Sequence, residues 1–261
     1  MPLETPLFLL LVPVGTLLAL PFRRDLLKTM WKPLAAMAFV MLAAEAYIGL
    51  VYTPPEKFMG DVYRILYVHV PQVWMALLAM TLNFGASLYY LVRKSFTADA
   101  LAEAAAEVSL YFGFVGVTLG AIWGRPTWGV YWTWDPRLTS AAVMLIYLAA
   151  YLVLRRFIDN PDTRGTFSAA VGVFGIVIPI TVYFSVKWMV SIHQVQSSPA
   201  TVDPTMVMSL RWSACAFLCL MIVFIYQRFL IAKAALEKEV AVPEALPAAA
   251  PPPNGSKGAV A

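Results

Sequence analysis

Two histidines are the residues of this chain best suited to hold a metal. His69 lies in YRILYVHVP, residues 63–71, and His193 ends WMVSIH, residues 188–193. Neutral imidazole is a preferred ligand of haem iron, and a flat macrocycle ligated from both faces needs one imidazole on each side. The simpler interpretation is a pair of interfacial histidines bonded to water or backbone. Zinc is a rival metal, with Asp135 as a third ligand, but no HExxH motif or Cys/His cluster accompanies the pair.

A tryptophan-rich segment separates the two histidines along the chain. Its sequence, WGRPTWGVYWTWDPR over residues 123–137, contains four of the eight tryptophans, two arginines and one aspartate. Tryptophan and tyrosine offer flat faces to a π-system, and arginine can donate two hydrogen bonds to one carboxylate. An aromatic belt that anchors two helix ends is the alternative. Five aromatic residues between Trp123 and Trp134 exceed what a belt needs, which favours a platform for a large flat ligand.

The candidate site residues fall into three groups. His69 and His193 are the candidate axial ligands of a haem iron. The candidate platform, which is also the candidate contact with a partner protein, consists of Trp123, Trp128, Trp132, Trp134 and Asp135. Arg125 and Arg137 are the candidate partners of haem propionates. Asp135 could orient an arginine, a histidine tautomer or the incoming partner, and the sequence does not choose among these roles.

The elements that position these residues are predicted to be transmembrane helices. Hydrophobic residues make up 61% of the chain and charged residues 13%. Since about 20 mostly apolar residues span a bilayer, the sequence predicts an all-α, polytopic membrane bundle. Residues 7–22, which contain Pro13 and Pro21, are a possible seventh span or an interfacial helix. The six predicted spans are Leu34–Thr53, Val73–Val92, Leu110–Trp123, Thr139–Leu154, Phe167–Val186 and Met208–Phe229.

Lysine and arginine predict the orientation of this bundle. The predicted spans divide the 19 basic residues between the two sides of the membrane. Thirteen of them lie on the side that holds both ends of the six-span unit. The positive-inside rule places that side, and the carboxyl terminus, in the cytoplasm. The tryptophan-rich segment and both histidines are then expected on the outer, periplasmic face. The net charge of +4 reflects topology and gives no reason to expect nucleic-acid binding.

The predicted organisation has three parts. Residues 1–32 form an amino-terminal apolar segment followed by a basic cytoplasmic stretch, residues 33–230 form the transmembrane domain, and the Pro/Ala-rich residues 231–261 form a disordered cytoplasmic tail. Within the domain, we expect Glu45 to make a buried polar contact with a neighbouring helix or subunit. We expect Glu103 and Glu107 in the solvated first turns of the third span. Cys215 and Cys219 are expected to pack as small apolar residues.

The motifs resemble those of a known group of proteins. The run Trp123–Thr139 is similar to the tryptophan-rich "WWD" signature of the haem-handling superfamily. Residues 63–71 and the stretch from His193 through Asp203-Pro204 to Leu210-Arg211-Trp212 resemble one branch, the CcmC family of the bacterial cytochrome c maturation system. The resemblance covers about Leu34 to Phe229. The possible extra span and the Pro/Ala tail belong to no motif of the family.

The resemblance implies a function that the residues alone do not supply. Proteins of this family hold haem at the outer face of the bacterial inner membrane and promote its covalent attachment to a histidine of the haem chaperone CcmE. It implies transiently bound haem b, with CcmD and the ABC transporter subunits CcmA and CcmB as further partners. Two alternatives stay open, a transmembrane haem transporter or channel and a direct haem–apocytochrome c ligase. The chain shows no recognisable hydrolase or ATPase motif, so whether it is an enzyme is left undecided.

Overall fold

The computed structural model describes residues 26–193 and 203–241, and the elements found there are helices. Six of its helical segments are long and apolar enough to cross a membrane, which confirms the predicted multi-pass helical bundle. The described residues form seven α-helices: α1 Leu26–Tyr47, α2 Leu66–Arg93, α3 Phe96–Trp128, α4 Pro136–Arg156, α5 Pro161–Phe174, α6 Val177–Trp188 and α7 Pro204–Ala241. Helices α5 and α6 together make the fifth membrane-crossing segment.

The helices extend beyond most of the predicted spans. The third span was expected at Leu110–Trp123, but α3 begins at Phe96 and, at 33 residues, is about 50 Å long. Its first half is rich in alanine, a strong helix former, and the acidic residues there do not end the helix because they are paired. Helix α2 likewise begins at Leu66, so that His69 lies in its first turn rather than before the span. Helix α7 continues to Ala241, into the stretch predicted to be a disordered tail.

The fifth predicted span, Phe167–Val186, is two helices rather than one. Helix α5 ends at Phe174 and α6 begins at Val177, with Gly175 and Ile176 in the turn between them. Pro179 explains the interruption, because a proline ring collides with the carbonyl of the residue four positions earlier in a continuous α-helix. That residue is Gly175. The turn redirects the chain towards the end of the bundle that carries the tryptophan-rich segment.

The connection from α1 to α2 is an ordered turn held by one arginine. Helix α1 passes into a π-helical turn at Ile48–Tyr52, and a short 3-10 helix, Asp61–Ile65, leads into α2. The guanidinium of Arg64 donates to the hydroxyl and carbonyl oxygens of Thr53, at 2.9 and 3.1 Å, and to the carbonyl oxygen of Gly49. It also pairs with Asp61 at 2.8 Å. Arg64 thereby fixes the approach of the chain to His69.

Helix α2 lies at the centre of the bundle, against α3, α5 and α7. Glycines on α3 allow a close approach between α2 and α3. A Cβ added at Gly116 would lie 2.9 Å from a methyl group of Val73 on α2, and one at Gly113 would lie 2.9 Å from Leu145 on α4. Small residues at such helix contacts let the backbones come near enough for dispersion to hold them together within a bilayer. The core that results includes Met75, Ala76, Phe112, Cys219 and Ile222.

Acidic side chains on α3 form ion pairs with neighbouring helices at the end of the bundle remote from the tryptophan-rich segment. Asp99 accepts both arms of the Arg155 guanidinium, at 2.7 and 2.8 Å, and Glu103 accepts a further bond from it at 2.9 Å. Glu107 pairs with Arg228 at 2.5 and 2.7 Å. The prediction of solvated first-turn positions for Glu103 and Glu107 is therefore wrong, since both lie further along the helix and have arginine partners.

Two predictions about the interior of the spans are confirmed. Glu45 is buried on α1 and accepts a hydrogen bond from the hydroxyl of Ser209 on α7 at 2.9 Å, so its polar contact is with a neighbouring helix. Cys215 and Cys219 are buried on α7, are not joined by a disulfide, and pack in apolar clusters. The possible extra span, residues 7–22, and most of the predicted tail lie outside the described residues.

Candidate functional site

A cavity of about 420 Å³ opens at one end of the bundle. Five α-helices contribute to its wall, α2, α3, α4, α6 and α7, together with the 3-10 helix before α2 and the segments that follow α3 and α6. The volume falls in the range of about 300–1,000 Å³ that is usual for pockets that bind small molecules. Most of the lining is apolar. Six of the residues singled out in the sequence line this cavity: His69, Trp123, Trp128, Trp132, Arg137 and His193.

His69 is held by the backbone of α3. Its Nδ1 lies 2.8 Å from the carbonyl oxygen of Gly116. A carbonyl oxygen can only accept a hydrogen bond, so Nδ1 carries the proton and Nε2 of the neutral ring keeps its lone pair. Gly120, one turn further along α3, provides room for the ring, because a Cβ there would lie 2.8 Å from Cε1 of His69. The imidazole is therefore fixed between two helices in a single tautomer.

His193 lies in the short segment after α6 and is held by a carboxylate. Its Nδ1 is 3.2 Å from Oδ1 of Asp135, and its ring meets that of Trp128 edge to face at 4.7 Å between centroids. Burial lowers the pKa of His193 to about 4, although the charge of Asp135 opposes this shift. The ring is neutral at pH 7. Since an ionised carboxylate only accepts, Nδ1 again carries the proton and Nε2 has the lone pair.

Asp135 joins the start of α4 to the segment that carries His193. As the N-cap of α4, its Oδ1 accepts from the backbone N–H groups of Arg137 and Leu138, at 2.9 and 3.3 Å. Its Oδ2 accepts from the backbone N–H of Ile192 at 2.9 Å. Burial alone would raise the pKa of this carboxyl, but these hydrogen bonds and one from Ser191 outweigh it and lower the pKa. Of the three roles considered from sequence, the geometry places Asp135 against the histidine.

The tryptophans divide between the cavity wall and the surface. Trp123 and Trp128 meet edge to face at 4.9 Å between centroids, and both line the cavity together with Trp132. Trp134 packs on Trp132 at 5.7 Å but is 79% exposed and is not part of the wall. The structure thus separates the predicted platform into three wall tryptophans and one outward-facing tryptophan, with Asp135 buried behind the wall.

The two candidate propionate partners also have different surroundings. Arg137 lines the cavity, donates through Nη2 to the carbonyl oxygen of Tyr183 at 2.9 Å, and has a buried Nε for which no partner is found among the described residues. Arg125 donates to the carbonyl oxygen of Gly129 and stacks over Tyr131 at 5.8 Å. It is not part of the wall. Arg137 is the better placed of the two.

Several wall residues were not identified as site residues from sequence. Tyr63 and Tyr67 line the cavity and meet edge to face at 5.8 Å between centroids, and their spacing of four before a helical histidine was an available signal. Arg211 of α7 also lines the cavity. Gly120 carries no chemical group that a motif search would notice. Its role depends on which side chain approaches it, and only the packing of α2 on α3 reveals that.

The donor set fits a macrocycle better than a bare metal ion. Within the part of the chain that the structure describes, no group of three or more His, Cys, Asp or Glu side chains is placed to hold a metal ion. The zinc alternative therefore finds no ligand set there. Two neutral imidazoles, three tryptophans and a largely apolar cavity are instead the groups that bind and cover a flat, iron-containing ring.

Comparison with known proteins gives a consistent result. The profile of a family described as Heme exporter protein C, CcmC, matches residues 17–244. Heme exporter protein C of Bradyrhizobium diazoefficiens is 31% identical over 193 residues, which is 72% of this chain and 73% of that protein. Heme exporter protein C of Escherichia coli K12 is 30% identical over 205 residues, 78% of this chain and 84% of that protein.

Proposed function

The chain belongs to the Heme exporter protein C family, and we propose that it binds haem in the cavity and presents it to the chaperone CcmE for covalent attachment. Family membership supports a role in haem handling for cytochrome c maturation. In the proposed site, His69 and His193 are the axial ligands of the iron. In this proposal the protein positions two reactants more than it performs acid–base chemistry.

The observation that carries this proposal is the matched anchoring of the two imidazoles. Both rings line one cavity, and each has Nδ1 bonded to an oxygen that can only accept. Both therefore present Nε2 with its lone pair, and metal-ligating histidines are commonly held through the other ring nitrogen in this way. No described residue hydrogen-bonds to either Nε2. Two unrelated interfacial histidines would give no reason for this shared tautomer.

The remaining wall residues suit the rest of the ligand. Trp123, Trp128 and Trp132 offer aromatic surface to a porphyrin, and the guanidinium of Arg137, which lines the cavity, can donate to a propionate. The apolar lining excludes water from the iron ligands, which strengthens their electrostatic interactions. Trp134, exposed beside the cavity, is suited to contact the chaperone. We propose that the ligand is haem b and that it is held transiently.

The cavity supports handling of haem at one face more than its conduction across the membrane. It lies at one end of the bundle, and α2 beyond it packs through the buried residues Ala76, Ala79 and Met80. A path for haem would need ligating or polar groups through the bilayer. In the direct ligase alternative, apocytochrome c rather than the chaperone would contact the exposed surface at Trp134. The identity of the haem acceptor distinguishes the two functions.

The proposed setting follows from the distribution of charge. We propose that the protein lies in the bacterial inner membrane, with the cavity towards the periplasm and the carboxyl terminus in the cytoplasm. The proposed partners are CcmE, CcmD and the ABC transporter subunits CcmA and CcmB. In this arrangement residues 33–230 form the haem-handling domain. Residues 1–32 are an apolar segment, a possible extra span, followed by a basic cytoplasmic stretch, and residues 231–261 are a cytoplasmic end.

The test compares haem binding in wild type, His69→Gly and His193→Gly, each co-expressed with CcmE. We expect the purified wild type to retain haem with a bis-histidine Soret band, and each variant to lose or shift that band and to load less CcmE. Added imidazole should restore the band in both variants, because it replaces the missing ligand in the space left by glycine. A variant that merely misfolds is not rescued by imidazole.

Two results would contradict the proposal. If both variants keep the wild-type spectrum, these histidines do not ligate the iron. If the spectrum behaves as expected but labelled haem passes to apocytochrome c in the absence of CcmE, the direct ligase is the correct function.

A further inference from the structure

The cavity has two cationic side chains, and they come from different helices. Arg137 lies in the first turn of α4 and Arg211 in the second turn of α7. Both line the cavity, and no aspartate or glutamate is among the described residues that do so. Asp135 lies behind the wall, with both oxygens bonded to N–H groups. The wall therefore has two positive charges and no negative charge of its own.

The contacts behind the wall hold both arginines at the same end of the bundle. Arg137 follows the N-cap Asp135 and donates to the carbonyl oxygen of Tyr183 on α6. Arg211 comes two residues after Ser209, which donates to the buried carboxylate of Glu45 on α1 at 2.9 Å. The Glu45–Ser209 bond is therefore one of the contacts that hold α7 against α1 near Arg211.

Axial ligation alone leaves one degree of freedom undefined. Two imidazoles fix the position of the iron and the orientation of the porphyrin plane. The porphyrin can still rotate about the line through the two Nε2 atoms. A second pair of contacts at the edge of the ring removes that rotation. The edge of protoporphyrin offers two carboxylates, and a guanidinium binds a carboxylate through two parallel hydrogen bonds.

We propose that Arg137 and Arg211 bind one propionate each, so that Arg211 determines the specificity of the cavity for a dicarboxylate porphyrin and sets its rotation. This inference rests on the proposed function. The propionate edge then lies between α4 and α7, and the opposite edge faces away from both helices. The cavity discriminates against a porphyrin whose carboxylates are esterified, because an ester lacks the negative charge that strengthens a hydrogen bond from a guanidinium.

The experiment combines a change in the Arg211 side chain with esterification of the ligand carboxylates, and compares the effects of the two changes on affinity. Purified wild type, Arg211→Gln, Arg211→Lys and Arg156→Gln are titrated with iron protoporphyrin IX and with its dimethyl ester, and binding is followed by the Soret band. Arg156→Gln is the matched control, since Arg156 is an exposed arginine at the last residue of α4 and does not line the cavity. Gel filtration and thermal unfolding report whether each variant is folded.

We expect wild type and Arg156→Gln to bind the free acid at least about tenfold more tightly than the ester, a difference of about 1.4 kcal/mol. Arg211→Gln should lose about tenfold in affinity for the free acid and little for the ester, with a bis-histidine spectrum in both complexes. Arg211→Lys should fall between wild type and Arg211→Gln, since lysine keeps the charge but not the fork.

Four outcomes would overturn the inference, and they show whether the proposed function fails with it. Equal affinity of wild type for acid and ester, or equal loss of affinity for both ligands in Arg211→Gln, shows that Arg211 does not recognise a carboxylate. If wild type binds haem through both histidines and Arg211→Gln matches it, only this inference fails. If wild type binds no haem, or binds it without the histidines, the proposed function fails as well.

Discussion

At the scale of single residues, the site depends on partners that hold the imidazole rings. His69 is bonded to a backbone carbonyl, and His193 to a carboxylate that also caps a helix. The acceptor oxygens of these two bonds belong to Gly116 and Asp135, which do not line the cavity, so a ligand would not touch them. Their effect is to select the tautomer in which Nε2 can bind iron, and each removes a rotational freedom that ligation would otherwise have to restrict.

Gly120→Ala tests the close packing around His69. The new Cβ would lie 2.8 Å from Cε1 of the imidazole, so the ring must move from its place between α2 and α3. Overpacking of this kind costs about 1–3 kcal/mol, and we expect haem affinity to fall by about tenfold to a hundredfold. The measurement is a haem titration followed by the Soret band.

Gly85→Ala is the matched control for that prediction. Gly85 is a glycine within α2, and a Cβ there would meet nothing within 4 Å. Replacing it with alanine should leave haem affinity unchanged and raise the free energy of unfolding by about 1 kcal/mol through helix propensity. Unchanged haem binding in Gly120→Ala would show that the position of His69 is not set by this contact.

The sequence indicated which residue types belong to the site but not how they are held. Histidine, tryptophan and arginine have distinctive side chains, so their identity and spacing along the chain were enough to select them. The acceptor of His69 is the carbonyl oxygen of Gly116, which every residue possesses and which no sequence pattern marks. Likewise, Arg125 and Arg137 are equivalent in sequence, and only packing shows that one of them lines the cavity.

At the scale of the helices, the buried ion cluster of Arg155 determines how α3 and α4 are joined. Arg155 is buried and shared between Asp99 and Glu103. We expect Asp99→Ala to lower the free energy of unfolding by about 3–5 kcal/mol, because it leaves a buried guanidinium short of its main acceptor. The measurement is denaturant unfolding of the purified protein in detergent.

Glu239→Ala provides the comparison for the ion cluster. It removes the partner of Arg164, a bidentate pair whose glutamate is largely exposed, at N–O distances of 3.0 and 2.7 Å. The expected loss is about 0–1 kcal/mol, since solvent screens such a pair. If both variants lose the same stability, burial does not determine the strength of these pairs.

Within residues 26–193 and 203–241, hydropathy predicted the number of membrane-crossing segments better than their ends. Six apolar runs there correspond to six segments that are long and apolar enough to cross a membrane, because the need to bury a helix in hydrocarbon is a property of composition. The ends of the helices depend on local interactions, and these are lost when hydropathy is averaged over many residues. Ion pairs let α3 extend through Glu103 and Glu107, and Pro179 divides the fifth segment although both halves are apolar.

At the scale of the whole molecule, the bundle is chemically different at its two ends. The cavity, the tryptophan-rich segment and both histidines lie at one end. The arginine–carboxylate clusters of α3 lie at the other. The proposed orientation places the first end in the periplasm. Trp134 and Phe157 flank α4 on opposite sides of the membrane, and they are 79% and 81% exposed.

Cysteine labelling tests this orientation. In a Cys215→Ala, Cys219→Ala background, Trp134→Cys should react with a membrane-impermeant maleimide in cells whose outer membrane has been permeabilised. Phe157→Cys should react only after lysis, because the proposed orientation places it on the cytoplasmic side. Both positions are exposed in the structure, so a difference in labelling reports the side of the membrane. The reverse pattern would place the cavity in the cytoplasm and contradict the proposed function.

The two histidines are held by different kinds of support. His69 is part of a long helix packed along its length, whereas His193 lies in the residues that follow α6 and is bonded to the carboxylate of Asp135. The position of the first ring therefore depends on the packing of two helices, and that of the second on one carboxylate. Substitutions that loosen the packing of α2 on α3 are expected to affect His69, and substitutions of Asp135 to affect His193.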